Sequence, residues 1–207
     1  MTEEDKKDPA IPALVTMGHP KLALPAKPVK RPMLGTNSFA RRLDLLHDAM
    51  EEYSGIGIAA PQIGWFERFF LMMETTRPET EDEEKEQELL AWVNPEIVDF
   101  SEERVWAWEG CLSVPGLRGW IQRPAAVAVR GYDESGDRVS REFTGWNARI
   151  FQHEFDHLEG MLYPYRVKDA RHLIHEVEML NKADWPEDWP APGARDTDYG
   201  ETWSEDD

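Results

Sequence analysis

Residues 152–157 read Gln-His-Glu-Phe-Asp-His. Within them lies His-Glu-x-x-His, and on an α-helix positions i and i+4 sit one above the other, so the imidazoles of His153 and His157 converge on a single metal ion. Glu154 follows His153 directly, where its carboxylate can reach a water on that metal. Two ligands and a general base are the chemistry these three side chains can do. The pattern is short, and two structural histidines beside ordinary helix acids would produce the same residues. A metal of this kind also needs at least a third protein ligand, with a further position kept for water. Downstream, His172 and His175 miss the close spacing of the extended His-Glu-x-x-His-x-x-Gly-x-x-His pattern, and Glu176 and Glu178 are formal carboxylate candidates. Upstream, Cys111 in Glu109-Gly-Cys-Leu-Ser113 is the stronger choice, because a thiolate binds Fe(II) or Zn(II) well. By itself it reads equally as a small buried hydrophobe.

The elements that must position these groups follow from periodicity. Residues 147–160 keep helical spacing through Ile150, Phe151 and Phe155, which puts the metal motif on a helix. An earlier helix is expected from Asn37 or Ser38, either a plausible N-cap, through Phe39, Leu43, Leu46, Met50 and Tyr53. A third is expected from about 169 to 180 through Leu173, Ile174 and Val177. Short apolar runs at 68–73 and 90–94 suit strands, and residues 126–132 and 138–143 flank the turn sequence Asp133-Glu-Ser-Gly-Asp137, which predicts a β-hairpin. Helices and strands do not alternate one for one, so an α+β fold is expected over a doubly wound sheet. Gly55-Ile-Gly-Ile-Ala-Ala-Pro-Gln62 is a glycine-interrupted segment, where backbone can approach a ligand or another strand closely.

With 207 residues and 41% apolar content the chain can bury one sizeable core, and no stretch approaches the roughly 20 apolar residues of a membrane-spanning helix. Its 41 acidic residues against 23 basic ones give a formal net charge of -18, which argues against binding DNA through its phosphates. The charge is concentrated. Residues 1–9 hold four acids against Lys6 and Lys7, segment 74–88 holds eight against Arg77 and Lys85, and 183–207 holds nine against Arg195, so the rest of the chain is nearly neutral. These shifts divide the chain into a polar arm (1–10), a catalytic domain (11–182) and an acidic tail (183–207). The tail's prolines forbid an α-helix, and its Trp185, Trp189 and Trp203 either fold back onto the body or meet a partner; otherwise it is a solvated appendage. A single cysteine excludes an internal disulfide and suits a reducing compartment. The N-terminal residues lack both the apolar core of a secretory signal and the Arg-rich character of a transit peptide, so the cytoplasm is expected.

Gly55–Gln62, Glu109–Ser113 and Gln152–His157 resemble, in order, the three motifs of the peptide deformylase family. Val15-Thr-Met-Gly-His-Pro20 and Trp92-Val-Asn-Pro-Glu-Ile97 resemble that family's entry segment and the strand before its cysteine, so the similarity runs from about 11 to about 182. The resemblance implies antiparallel β-sheets packed around a central metal-binding helix, with an N-terminal and a C-terminal helix. It implies that Cys111, His153 and His157 bind one divalent metal, Fe(II) in many members, with zinc, nickel or cobalt as substitutes. Glu154 would take the proton of the attacking water and deliver it to the departing amine, while Gln62 and the backbone N–H of Leu112 stabilise the oxyanion. The substrate would be the formyl-methionyl N-terminus of a new peptide, and the ribosome a possible neighbour. Ile56, Leu112 and Ile150 could line the methionine pocket and Gly57 could pair with an extended substrate, although each also has a plain packing explanation. Glu109 and Arg118 are candidates for an ion pair near the peptide entrance. Two other functions share these residues: a metalloendopeptidase, and a catalytically silent binder of nascent N-termini.

Overall fold

A computed structural model of the chain describes residues 11–75 and 87–198. The polar arm, most of the acidic run and Trp203 lie outside the described residues. Helix α1 (Asn37–Glu52) starts one residue earlier than the sequence suggests, because the Thr36 hydroxyl caps it by accepting the Phe39 N–H at 3.2 Å. Its apolar positions Phe39, Leu43, Leu46 and Met50 are buried as their spacing demands.

Among the described residues eight strands follow: β1 (Gly57–Ala59), β2 (Phe69–Thr75), β3 (Gln87–Phe100), β4 (Arg104–Cys111), β5 (Val114–Pro124), β6 (Ala126–Tyr132), β7 (Arg138–Thr144) and β8 (Leu173–His175). They form a five-stranded sheet in the order β1-β2-β3-β6-β7 and a three-stranded sheet in the order β4-β5-β8, with antiparallel pairing throughout. The expected hairpin is β6–β7. The two short apolar runs are β2 and β3, longer than their apolar cores, because pairing continues outward to Thr75 opposite Gln87 in the acidic segment. Helix α2 (Gly145–Leu158) packs against β1, β2, β6 and β7 of the larger sheet and touches β5 of the smaller one. Phe151 anchors the first contact, edge-on to Phe70 at 5.2 Å and to Trp92 at 5.1 Å.

The expected C-terminal helix over 169–180 is replaced. A 3₁₀ turn (Ala170–His172) leads into β8, which pairs with β5, and a 3₁₀ helix (Glu176–Asp184) follows. Side chains satisfy the amides an α-ladder would have used: Asp169 accepts from Arg171 N–H at 3.0 Å and His175 from Val177 N–H at 3.3 Å. Beyond it, residues 185–198 fold back onto the smaller sheet. Trp185 lies 5.9 Å from Trp108, Ala194 is fully buried, and Trp108 Nε1 donates to the Ala194 carbonyl at 2.8 Å. That part of the tail is a docked layer, in which Trp185 is half-buried and Trp189 stays 37% exposed.

Candidate functional site

Cys111 ends β4 and is joined to β5 through the two-residue turn Leu112-Ser113, since Cys111 pairs with Val114. Gln62 sits in the 3₁₀ turn Ala60–Ile63 after β1. The entry segment ties both together: Val15 N–H donates to the Gln62 carbonyl and Met17 N–H to the Ser113 carbonyl, each at 2.7 Å. Helix α2 brings His153, Glu154 and His157 to the same place. The candidate ligand atoms of Cys111, His153 and His157 all lie within 4.8 Å of one another, with Cys111 Sγ 3.3 Å from His157 Nε2. One thiol and two imidazoles converging from two elements suit a divalent metal such as iron or zinc.

The other predicted residues surround a cavity of about 380 Å³ whose walls include Ile56, Gly57, Gln62, Cys111, Leu112, Ile150, His153 and Glu154. Gln62 is 1% exposed and fixed at both ends of its amide: Oε1 accepts the Ala59 N–H at 2.8 Å, while Nε2 donates to Ser113 Oγ at 3.3 Å and lies 3.6 Å from Cys111 Sγ. Its donor therefore faces the cluster. Burial pushes the Glu154 carboxyl up to about 7, against the opposing charges of His153 and Arg123, and its Oε2 has no hydrogen-bond partner among the described residues. Gly57 has a packing role beyond its β1–β2 pairing, since a Cβ there would stand 2.6 Å from Glu154 Oε1. Any side chain at 57 would displace that carboxylate. Leu112 packs beside Gly55 and the α1 core, and Ile56 is 43% exposed at the mouth while Ile150 is buried.

Glu109 does not pair with Arg118. It is buried and takes Arg123 in a fork (Nε to Oε1 2.6 Å, Nη2 to Oε2 2.8 Å), Arg149 Nη1 at 2.6 Å and His153 Nδ1 at 3.0 Å. Burial alone would raise the Glu109 carboxyl, yet Arg123, His153 and Arg149 hold it well below the usual range. Anchoring Nδ1 leaves His153 Nε2 for the metal cluster. Arg123 also donates to Asp156 Oδ2 at 2.8 Å, and Arg166 closes the array, its Nε donating to the same oxygen at 2.6 Å. Arg149 further donates to the carbonyls of Ile121 and Val105, tying α2 to both β4 and β5. Residue spacing does not reveal these arginines, since an arginine reads as solvent-facing; Arg123 and Arg149 are nonetheless buried, whereas Arg166, in the turn Tyr163–Arg166, keeps 41% of its side-chain exposure, and Asp156, inside the motif, is the one hint the sequence offers. Of the other candidate ligands, His172 stacks edge-on to Trp106, His175 caps a turn and Glu176 pairs with Arg118 at 3.0 Å.

A model of the polypeptide deformylase family matches residues 11–173. The chain belongs to that family. It is 39% identical to peptide deformylase 1 of Bordetella pertussis over 159 residues, which covers 77% of this chain and 89% of the relative. It is 37% identical to the peptide deformylase of Thermotoga neapolitana over 166 residues, 80% of this chain and 93% of that one. Among solved structures, a Met-Ala-Ser-bound class I type b peptide deformylase from Acinetobacter baumannii superposes with a TM-score of 0.70 at 37% identity, covering 76% of this chain and 98% of its own. The Thermotoga maritima peptide deformylase gives 0.66 at 33% identity, covering 77% and 99%. The family-model match ends at Leu173, the first residue of β8.

Proposed function

We infer that this chain hydrolyses the N-formyl group of formyl-methionyl peptides, releasing formate and a free α-amine. The observation that carries this reading is the buried Glu154 carboxyl, held beside the Cys111–His153–His157 cluster in a chain of the deformylase family. The donor set fits a divalent metal: Cys111, His153 and His157 would hold it, and Fe(II) is the proposed ion, with zinc, nickel or cobalt able to replace it. Bound there, a divalent ion supplies Lewis acidity, polarising the formyl oxygen and making water acidic enough to attack near neutral pH.

The remaining work falls to side chains of this chain. Glu154 takes a proton from the attacking water as the new C–O bond forms, then passes it to the nitrogen as the C–N bond breaks, so the amine leaves neutral. A carboxyl raised to about 7 by burial is matched to both halves of that transfer. Gln62 Nε2, already fixed by Ala59 and Ser113, donates to the formyl oxygen as negative charge develops, together with the Leu112 N–H. Ile56, Leu112 and Ile150 receive the methionine side chain, and Gly57, on edge strand β1, offers backbone to the peptide. The cysteine ligand suits a reducing compartment such as the cytoplasm. Work on new chains places the enzyme near the ribosome, where the acidic tail disfavours contact with RNA.

The deciding experiment is metal analysis of anaerobically purified protein together with a formate assay on formyl-Met-Ala-Ser and on unformylated Met-Ala-Ser. Stoichiometric metal and formate from the first peptide alone are expected. Internal cleavage without formate would overturn the deformylase reading in favour of a metalloendopeptidase, and metal without turnover would leave a binder.

A further inference from the structure

One stretch of the chain carries a charge opposite to that of the whole. Residues 11–43 contain Lys21, Lys27, Lys30, Arg31, Arg41 and Arg42 and no acidic residue, in a chain of formal net charge -18. Leu22, Ala26 and Val29 turn inward and are buried, which leaves Lys21, Lys27, Lys30 and Arg31 on the surface. Main-chain bonds fix this strip along the approach to β2: the Lys27 N–H donates to the Phe66 carbonyl at 3.0 Å and the Arg68 N–H to the Lys27 carbonyl at 2.9 Å. Two carboxylates nearby are already engaged, Glu67 by Arg42 at 2.5 Å and Glu159 by Arg68 at 2.6 Å. Lys21, Lys27, Lys30 and Arg31 make no ion pair among the described residues. A ring stands among these charges. His19 is exposed, stacks on Phe66 with centroids 5.8 Å apart and planes 11° from parallel, and accepts the Lys21 N–H on Nδ1 at 3.2 Å. Lys21 Nζ lies 5.1 Å from the centroid of the same Phe66 ring.

We propose that the strip from His19 to Arg31 is a docking surface for single-stranded RNA. Its four cations meet phosphates, and the His19 ring, held flat on Phe66, gives its outer face to an unstacked base. An acidic peptide would use the charges and leave the ring without a partner. Duplex DNA keeps its bases stacked and out of reach of an imidazole, whereas the loops and ends of RNA present them. The bulk charge does not forbid this contact. Salt screens exposed charges beyond about 10 Å at 0.1 M, so a partner senses the local surface, and the docked acidic tail lies against Trp108 of the other sheet. The proposal does not depend on the deformylase reading.

The test is fluorescence anisotropy of the metal-loaded full chain with end-labelled oligouridine about 12 nucleotides long, a length one such surface can span. A Kd of about 1–100 µM is expected at 0.1 M salt. With three or four phosphates neutralised, the logarithm of the binding constant should fall against the logarithm of salt concentration with a slope of about -2 to -3. Reversing two charges together, Lys27→Glu with Lys30→Glu, should weaken binding and flatten that slope by about one to two. His19→Ala should weaken binding about 5- to 100-fold with the slope unchanged, because a stacked base and not a phosphate is lost, and His19→Tyr should retain the parent affinity by keeping a ring. An affinity unchanged in the charge-reversed protein or in His19→Ala overturns the proposal. So does an absence of binding at low salt, or equal or tighter binding to duplex DNA of the same length or to polyglutamate of the same charge. Formate release from the same preparations tests the deformylase reading separately.

Discussion

On one side of α2, Ala148, Phe151 and Leu158 lie against Phe70, Met72, Trp92 and Phe143; toward the smaller sheet, Arg149, His153 and Asp156 meet Glu109, Arg123 and Arg166. Both sides are buried. The first is held by area and by edge-to-face rings, terms that tolerate small shifts because they are spread over many atoms. The second is held by a few charge-assisted bonds whose members are costly to remove singly, because the buried Glu109 or Asp156 carboxylate, or the buried Arg123 or Arg149 guanidinium, would lose part of its counter-charge. A helix that carries two candidate metal ligands needs both: the apolar side sets where the helix lies, and the ionic side sets how His153 is turned.

Substitutions can break that comparison in order of expected effect. Glu154→Gln removes the proton carrier and should lower kcat about 100- to 10,000-fold in formate release. Metal content should be retained in that variant, and the melting temperature unchanged or raised, since a buried carboxyl becomes a neutral amide; unchanged turnover would remove Glu154 from the chemistry. Arg123→Met leaves Glu109 and Asp156 without their shared counter-charge, an expected loss of about 3–5 kcal/mol in urea unfolding. The same variant should bind metal about 10- to 100-fold more weakly by competition with a chelator, because Glu109 no longer orients His153 firmly.

Phe151→Ala, on the apolar side, should cost a similar 3–5 kcal/mol or so of stability, yet metal affinity measured well below its melting temperature should stay close to that of the parent. Equal losses of metal affinity in the Arg123 and Phe151 variants would show that the two sides are not separable. Trp185→Ala, which strips the docked tail from Trp108, is expected to be mildest: about 1–2 kcal/mol in thermal unfolding, with formate release from formyl-Met-Ala-Ser within a factor of two.

Much of the site was legible from residue spacing. His153, Glu154 and His157 need only the helical repeat to share a face, and Cys111 needs only the ligand strength of a thiolate. Gln62 and Gly57 were visible within a glycine-interrupted run, although the reason for Gly57 was not: its missing side chain makes room for Glu154. The β4–β5 hairpin went unread because both strands are interrupted by glycine, and its turn holds only Leu112 and Ser113. Residues 169–180 satisfied the helical period with Leu173, Ile174 and Val177, but the same apolar residues serve a strand, and the open edge of β5 was available to pair with them.

By itself the sequence determined which atoms could meet a metal, which helix would carry two of them, and that strands and helices would segregate rather than alternate. These are local consequences of periodicity and ligand chemistry, and they hold whatever lies nearby. Tertiary structure decided the rest: that Glu109 faces two buried arginines rather than Arg118, that Glu176 stands at the cavity mouth, and that the described part of an acidic tail packs onto Trp108. Each depends on which charge or ring a distant strand presents. An arginine reads as solvated until a buried carboxylate is placed beside it, and no spacing rule within one segment contains that information.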